Sequence, residues 1–431
     1  MAQDKFHTIV VGGGCLGCAS AISVQRRLGG GSEGGHSSVC VIERSVVGSG
    51  VTARHSGIVR AANAVPEAAV LAQKAIAQWR NLESLWGVAA PVEACGAIWI
   101  AKDAGPGENS SWDGLESRLK SAGIEFGRIP RSLADELTPG IIDFHDDEVF
   151  FYEPGAIQMD PSAVRKMIYE ALDINAIEVR EKTAVTGFEC GEDGRITGVL
   201  TSQGRLGCEF VVNAAGAWSP AVFGSLGIAI PVSAEPVHVA NWITSLREFE
   251  KAMPIIADYV NLAYFRLWRN GEIHMHQPRK RSLRETARVF AGNPLGLVGA
   301  DFINDPANQG LDYAQIHVYE QIARRRFNNI DRTVYGSGYR SFFDITPDLR
   351  FILGRDHRIP NLAHCLGAGQ SFKYTPVFGE IIAESIFGGT DYAEEARAFS
   401  ISRFDDAYMH RFWTRVSGRD KSVEIGAAAA L

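Results

Sequence analysis

The sequence predicts an α/β chain, with a Rossmann-like dinucleotide-binding domain interleaved with an α+β second domain built on an antiparallel sheet. Three observations predict it. An apolar run, Ile9-Val10-Val11, feeds into Gly12-x-Gly14-x-x-Gly17 and then a helical stretch, Ala19 to Val24. A second apolar run, Ser38 to Ile42, ends in an acid, Glu43. Residues 221–320 contain alternating strand-like runs, such as Tyr264 to Leu267 and Gly271 to His276. Strand, glycines, helix, strand and terminal acid together form the context that a dinucleotide fingerprint requires.

Each part of the fingerprint has a physical task. Gly12 permits the tight turn, Gly14 lets the backbone approach a pyrophosphate, and Gly17 lets helix and strand pack closely. Phosphate oxygens then sit at the positive end of the helix. The Glu43 carboxylate can accept hydrogen bonds from a ribose. It lies somewhat farther along the chain than usual, and the Gly-rich loop Gly29 to Gly35 explains the excess.

Farther on, Pro66 to Trp86 reads as one helix with apolar residues at helical spacing, and Gly96 to Ala101 as a strand leaving the first domain. Asp160-Pro161 opens a helix, with Asp as N-cap and Pro at N1. Glu178 to Glu189, Gly194 to Ser202 and Gly207 to Gly216 read as three strands, and Asp312 to Phe327 as a helix. The expected division is 1–95, 150–220 and 335–420 for the dinucleotide domain, and 96–149 and 221–334 for the substrate domain.

Composition bounds the function. The chain has 431 residues, a net charge of −7 and 22% charged residues, so neither nucleic acid nor an anionic membrane is an expected partner. The basic segment Arg279 to Arg284 reads as the start of a surface insertion. No apolar stretch reaches the length of a membrane span, and no export signal is apparent, which points to the cytoplasm. Seven scattered cysteines fit free thiols in a reducing compartment. Cys15-x-x-Cys18 lies inside the phosphate loop, where a metal or disulfide would obstruct a cofactor, so no metal site is expected.

Five motifs appear in order: the fingerprint, the loop Gly48 to Arg60, Val211 to Ser219, Thr346-Pro-Asp348 and Gly367 to Pro376. In this order they resemble the D-amino-acid-oxidase-like flavoproteins, nearest the branch of sarcosine oxidase, N-methyl amino acid oxidases and dimethylglycine dehydrogenase. The resemblance implies FAD. Gly12, Gly14, Cys15, Leu16 and Gly17 would hold the pyrophosphate, Glu43 the adenosine ribose, and Arg44 and the Val185 backbone would border the adenine. Ser49, Gly50, Thr52, Arg54, His55 and Ser56 would run along the cofactor toward the flavin ring. Ala214, Ala215 and Gly216 would give close backbone approach, with Trp218 and Arg340 nearby. Gly367, Gly369, Gln370, Ser371 and Phe372 precede the last helix, where backbone N–H groups can stabilise negative charge on reduced flavin.

Arg60 and Lys373 match, by motif position, the pair that holds a substrate carboxylate in sarcosine oxidase. A planar fork and a point charge together suit a carboxylate. The position of the covalent cysteine of sarcosine oxidase is Ser341 here, and His55 is one residue out of register with the histidine of dimethylglycine dehydrogenase. Non-covalent FAD is therefore expected. His274 falls near the oxygen-activating lysine of the branch, and Phe343 replaces a tyrosine at the substrate face. His276 and His364 are further polar candidates. The implied reaction is hydride transfer from a carboxylated secondary or N-methylated amine to flavin N5, with the imine hydrolysed afterwards. The electron acceptor is oxygen or another carrier, and an oligomer is left open. The alternatives are a D-amino acid or 2-hydroxy acid dehydrogenase, the flavin subunit of a heteromeric amine dehydrogenase, or a non-catalytic flavin-binding protein.

Overall fold

A computed structural model describes residues 5–29, 38–63, 65–103, 110–243, 252–267, 273–277, 311, 313–328 and 334–404. The basic segment Arg279 to Arg284 lies outside them.

The strands, in chain order, are β1 (Lys5–Val11), β2 (Val39–Ile42), β3 (Ile58–Val59), β4 (Glu93–Ala94), β5 (Ala97–Lys102), β6 (Gly127–Ile129), β7 (Glu148–Glu153), β8 (Ile157–Gln158), β9 (Glu178–Arg180), β10 (Val185–Cys190), β11 (Ile196–Thr201), β12 (Gly204–Asn213), β13 (Ser233–Ile243), β14 (Ile255–Asp258), β15 (Ala263–Leu267), β16 (Ile273–Gln277), β17 (Val334–Ile345), β18 (Ile352–Arg355) and β19 (Leu362–Leu366). The first sheet runs β10-β11-β12-β1-β2-β9, with β19 paired to β12 and β18 to β19. Strands β12, β1 and β2 and the edge strand β9 are parallel. From Ile9 on β1, and throughout β2, the residues are buried on both faces, which is why these two read as continuous apolar runs.

The second sheet runs β17-β13-β16-β15-β14-β5-β7-β6 and is antiparallel except where β14 meets β5. Its strands alternate. Ile98 and Ile100 join Phe150, Phe265, Tyr319 and Ile322 under the helix Tyr313–Arg326. Trp99 and Tyr264 point the other way, into the core shared with the first sheet. Arg326, fully buried at the end of that helix, pins it through Glu148 on β7 and Asp258 on β14, both at 2.8 Å.

Four expectations from the sequence are corrected. Pro66 to Trp86 is two helices, Pro66–Arg80 and Leu82–Trp86, because the backbone leaves helical geometry at Asn81 (φ −117°, ψ 28°). Glu178 to Glu189 is not one strand. A left-handed Lys182 (φ 51°) interrupts it, and β9 and β10 lie on opposite edges of the first sheet. Arg340 does not mark the return to the first domain, because all of β17 pairs with β13 in the second sheet. The boundary expected at residue 150 falls within β7, another strand of the second sheet. The chain crosses between sheets after Glu153 and after Ile345.

Candidate functional site

The first helix, Cys15–Arg27, starts at the end of β1, and its N-cap is Gly14, which has no side chain to accept the first-turn N–H groups. Thr52 Oγ1 accepts one of them, from Cys15, at 2.9 Å. Gly12 adopts φ 111°, and a Cβ there would overlap the Ala214 carbonyl. A Cβ on Gly17 would overlap the Gly12 carbonyl. Gly14 is different: its Cβ would meet only Thr52 Oγ1, at 3.4 Å. Gly12 and Gly17 are thus demanded by packing, whereas Gly14 leaves open space beside a bare helix N-terminus.

That space belongs to a cavity of about 800 Å³, within the range of roughly 300–1,000 Å³ typical of ligand pockets. Its lining includes Glu43, Arg44, Val185 and Trp218, and also Arg60, Tyr264, Phe343 and Lys373. The Glu43 carboxylate accepts the N–H groups of Gly13 (2.9 Å) and Ser45 (2.8 Å), with acceptor capacity left for a ligand. The Arg44 guanidinium lies 4.5 Å over the Trp218 ring. Buried polar atoms of three lining residues, His55 Nε2, Trp218 Nε1 and Ser341 Oγ, have no partner among the described residues. A long polar ligand would satisfy them, so the cradle and its orphaned atoms fit a dinucleotide.

Arg60 and Lys373 form a buried charge cluster in this lining. Arg60 is 6% exposed, and its guanidinium lies 4.5 Å over Trp99. It donates to the Ala62 carbonyl and, at 3.0 Å, to Tyr264 Oη. Burial opposes its charge, but Tyr264, Tyr259 and Glu153 outweigh that and hold it above its ordinary range. Lys373 is 4% exposed and donates to Gln370 Oε1 at 3.2 Å. Burial, reinforced by Arg60, pulls its pKa well below the usual lysine range. Glu153 lies behind them. Asp344 also lines the cavity and accepts the Gly367 N–H at 3.0 Å and the Gly369 N–H at 3.5 Å; burial pushes its pKa up to about 6.

Most residues nominated from the sequence line this cavity: Gly12, Gly14, Cys15, Leu16, Glu43, Arg44, Ser49, Gly50, Thr52, Arg54, His55, Ser56, Arg60, Val185, Ala214, Ala215, Gly216, Trp218, Arg340, Gly369, Gln370, Ser371, Phe372 and Lys373. Gly17 does not, because it is used in packing. Gly367 does not, and the N–H groups of Gly367 and Gly369 are directed at Asp344 instead of being free for a ligand. His364 is buried elsewhere, between Asp356 (2.9 Å) and Asn213 (3.1 Å), which is a structural role. The backbone of His274 pairs with Arg266 and Asn241, but its side chain, like that of His276, lies outside the described residues. His55 stacks on Phe372 at 3.6 Å and accepts the Gly57 N–H through Nδ1. Burial pushes its pKa down to about 3, so the ring is neutral.

Sequence reasoning passed over Tyr264, Glu153 and Asp344. The signal for the two acids was there: each sits in a strongly apolar strand run, Val149 to Glu153 and Phe342 to Ile345. An acid in such a run needs a buried partner.

Residues 7–385 match the family described as FAD dependent oxidoreductase. The chain is 24% identical over 415 residues to sarcosine oxidase subunit beta of Rhizobium meliloti, covering 94% of this chain and 90% of that protein. It is 21% identical over 422 residues to 4-methylaminobutanoate oxidase (formaldehyde-forming) of Paenarthrobacter nicotinovorans. There it covers 96% of this chain but spans only 47% of the relative. Among solved structures, L-proline dehydrogenase from P. horikoshii superposes with a TM-score of 0.77 at 18% identity, covering 94% of this chain and 99% of that one. This likeness shows the fold.

Proposed function

The chain belongs to the FAD dependent oxidoreductase family, and on that premise we propose that it oxidises a carboxylated secondary or N-methylated amine. One observation carries the reading: Arg60 and Lys373, two basic residues far apart in sequence, are buried together in the lining of the cavity. Buried cations are costly unless an anion meets them. A substrate carboxylate supplies that anion, and the Arg60 fork and Lys373 point charge fix its orientation.

Bound FAD supplies a hydride acceptor. The residues of this chain do the rest. The bare first turn of Cys15–Arg27 and Gly14 hold phosphate, and Glu43 accepts from ribose. Arg60 and Lys373 anchor the carboxylate so that the carbon beside the amine nitrogen faces the cofactor, a positioning effect. Phe343 and Tyr264 add aromatic surface to the same lining. The amine reacts as the neutral base, which desolvation there favours. Water then hydrolyses the released imine.

The cofactor is held without a covalent bond. Ser341 has no thiol to link it, and the His55 ring is fixed by Phe372 and the Gly57 N–H. The seven free cysteines support a reducing compartment. Among the described residues no helix is long and apolar enough to cross a membrane.

Anaerobic bleaching of the flavin by a panel of N-methyl amino acids, D-amino acids and 2-hydroxy acids tests the reading. Bleaching by hydroxy acids alone, or by none, overturns it. A peroxide assay then separates oxygen from another electron acceptor. The likeness to a beta subunit over 90% of its length favours one variation, a heteromeric enzyme, which gel filtration from the native source would reveal.

A further inference from the structure

Glu153, the last residue of β7, is 1% exposed and does not line the cavity. Both of its oxygens are committed: one accepts the Ala61 N–H, and the other accepts the Ala62 N–H at 3.2 Å. Burial raises the Glu153 pKa, and the two accepted N–H bonds together with Arg60 and Lys373 oppose that and favour the carboxylate. These two peptides directly follow Arg60, and the Arg60 guanidinium binds the Ala62 carbonyl from the other side. The anion and the cation are thereby fixed to the same short stretch of backbone. The Glu153 charge also acts on Lys373 and draws it toward the protonated form. Among the described residues no carboxylate lies within ion-pair distance of Lys373 Nζ.

We propose that Glu153 is the built-in counter-anion of the Arg60–Lys373 pair and restricts this part of the cavity to one carboxylate. This rests on the reading of the pair as a carboxylate subsite. With Lys373 protonated against a bound carboxylate, two cations and one fixed anion leave a surplus of one positive charge, which that single carboxylate cancels. A second carboxylate on the substrate would enter a buried site with nothing left to neutralise it. An uncompensated buried charge is among the costliest features a site can carry. Glu153 acts through Arg60 and Lys373 and not by touching the ligand, so it is a positioning residue that sets selectivity.

The test uses two thioether acids on one skeleton, (methylthio)acetate with one carboxylate and thiodiacetate with two. Neither has an amine, so both are dead-end ligands. Each is titrated into the FAD-loaded protein and followed by the perturbation of the flavin absorbance. The wild type is expected to bind the monocarboxylate at least tenfold more tightly. Glu153→Gln is expected to shrink that ratio at least tenfold, and Glu153→Asp, which keeps the charge, to restore it. A purely structural role for Glu153 would weaken both ligands together and leave the ratio alone. An unchanged ratio in Glu153→Gln overturns the proposal, as does a wild type that binds both acids equally, a result that needs no variant to fold. If neither acid binds the wild type, the carboxylate reading itself falls, and this inference with it.

Discussion

Lys373 makes an unusual stability prediction, because the residue proposed to bind substrate also costs the empty protein free energy. In Lys373→Met the side chain keeps its length and loses its charge. The losses are small: one hydrogen bond to Gln370 Oε1, about 1 kcal/mol, and a cation 4.9 Å over the Tyr374 ring, about 0.5–1 kcal/mol. Gln370 Oε1 is not orphaned, because Asn63 Nδ2 approaches it at 3.4 Å. The gain is relief from burying an ammonium, several kcal/mol. The expected balance is a variant more stable by roughly 1–3 kcal/mol, a rise in Tm of a few degrees. Substrate binding moves the other way. With Arg60 still present, loss of one partner of a buried carboxylate costs about 2–3 kcal/mol, near the lower end for such pairs, so KM rises roughly 30- to 150-fold. The stability gain also depends on pH. The folded pKa of Lys373 lies well below its ordinary value, so between the two values the unfolded chain binds more protons. Wild-type stability therefore rises with pH across that interval, and the advantage of Lys373→Met narrows toward pH 10.5. Thermal melts without substrate and KM from anaerobic flavin bleaching check both halves. A fall in Tm or an unchanged KM would refute the reasoning.

Other predictions are simpler. Gly17→Ala places a methyl on the Gly12 carbonyl, with backbone on both sides and no flexible neighbour to yield; the cost is about 3 kcal/mol or more, read as flavin lost on desalting and a lower Tm. Thr52→Val removes the acceptor of the Cys15 N–H and is expected to lower stability by about 1 kcal/mol while weakening FAD retention. Arg326→Met strands Glu148 and Asp258 as buried acids, for a loss of about 3–5 kcal/mol in a thermal melt with little change in flavin spectrum. Acid precipitation is expected to leave the yellow colour in the supernatant; colour in the pellet would show a covalent link.

The parts of the fold legible in the sequence were those where local chemistry and tertiary role coincide. Val10 and Val11 are buried on both sides of a parallel strand, and their apolar run says so. Asp160 caps its helix through Ala163, at 2.9 Å, as the Asp-Pro pair implied. Legibility failed where a long-range contact decides. Nothing local distinguishes β9 from β10, yet β9 pairs with β2 and β10 with β11. Arg340 looked like the end of a domain because the motifs beyond it are cofactor motifs, while pairing with His238 keeps it in the second sheet. Arg60 and Lys373 were found through motif position. The apolar run around Glu153 marks it as an acid in need of a buried partner, but only the tertiary fold shows that the partners are the Ala61 and Ala62 N–H groups.

The order in which the cradle is completed has a consequence for biogenesis. β1 and the first helix are made first, but β12, which flanks β1, is flanked in turn by β19, and the helix Thr375–Phe387 closes on the first helix so tightly that a Cβ on Gly379 would lie 2.6 Å from the Ala19 carbonyl. At roughly 5–20 residues per second, the ribosome delivers that closing helix tens of seconds after the glycine loop has emerged. During that interval the nascent chain carries a dinucleotide loop without the wall that shapes it. Flavin capture therefore waits for that closing helix and is not an event of early synthesis, and ribosome-stalled chains ending before Leu362 are expected to retain no flavin.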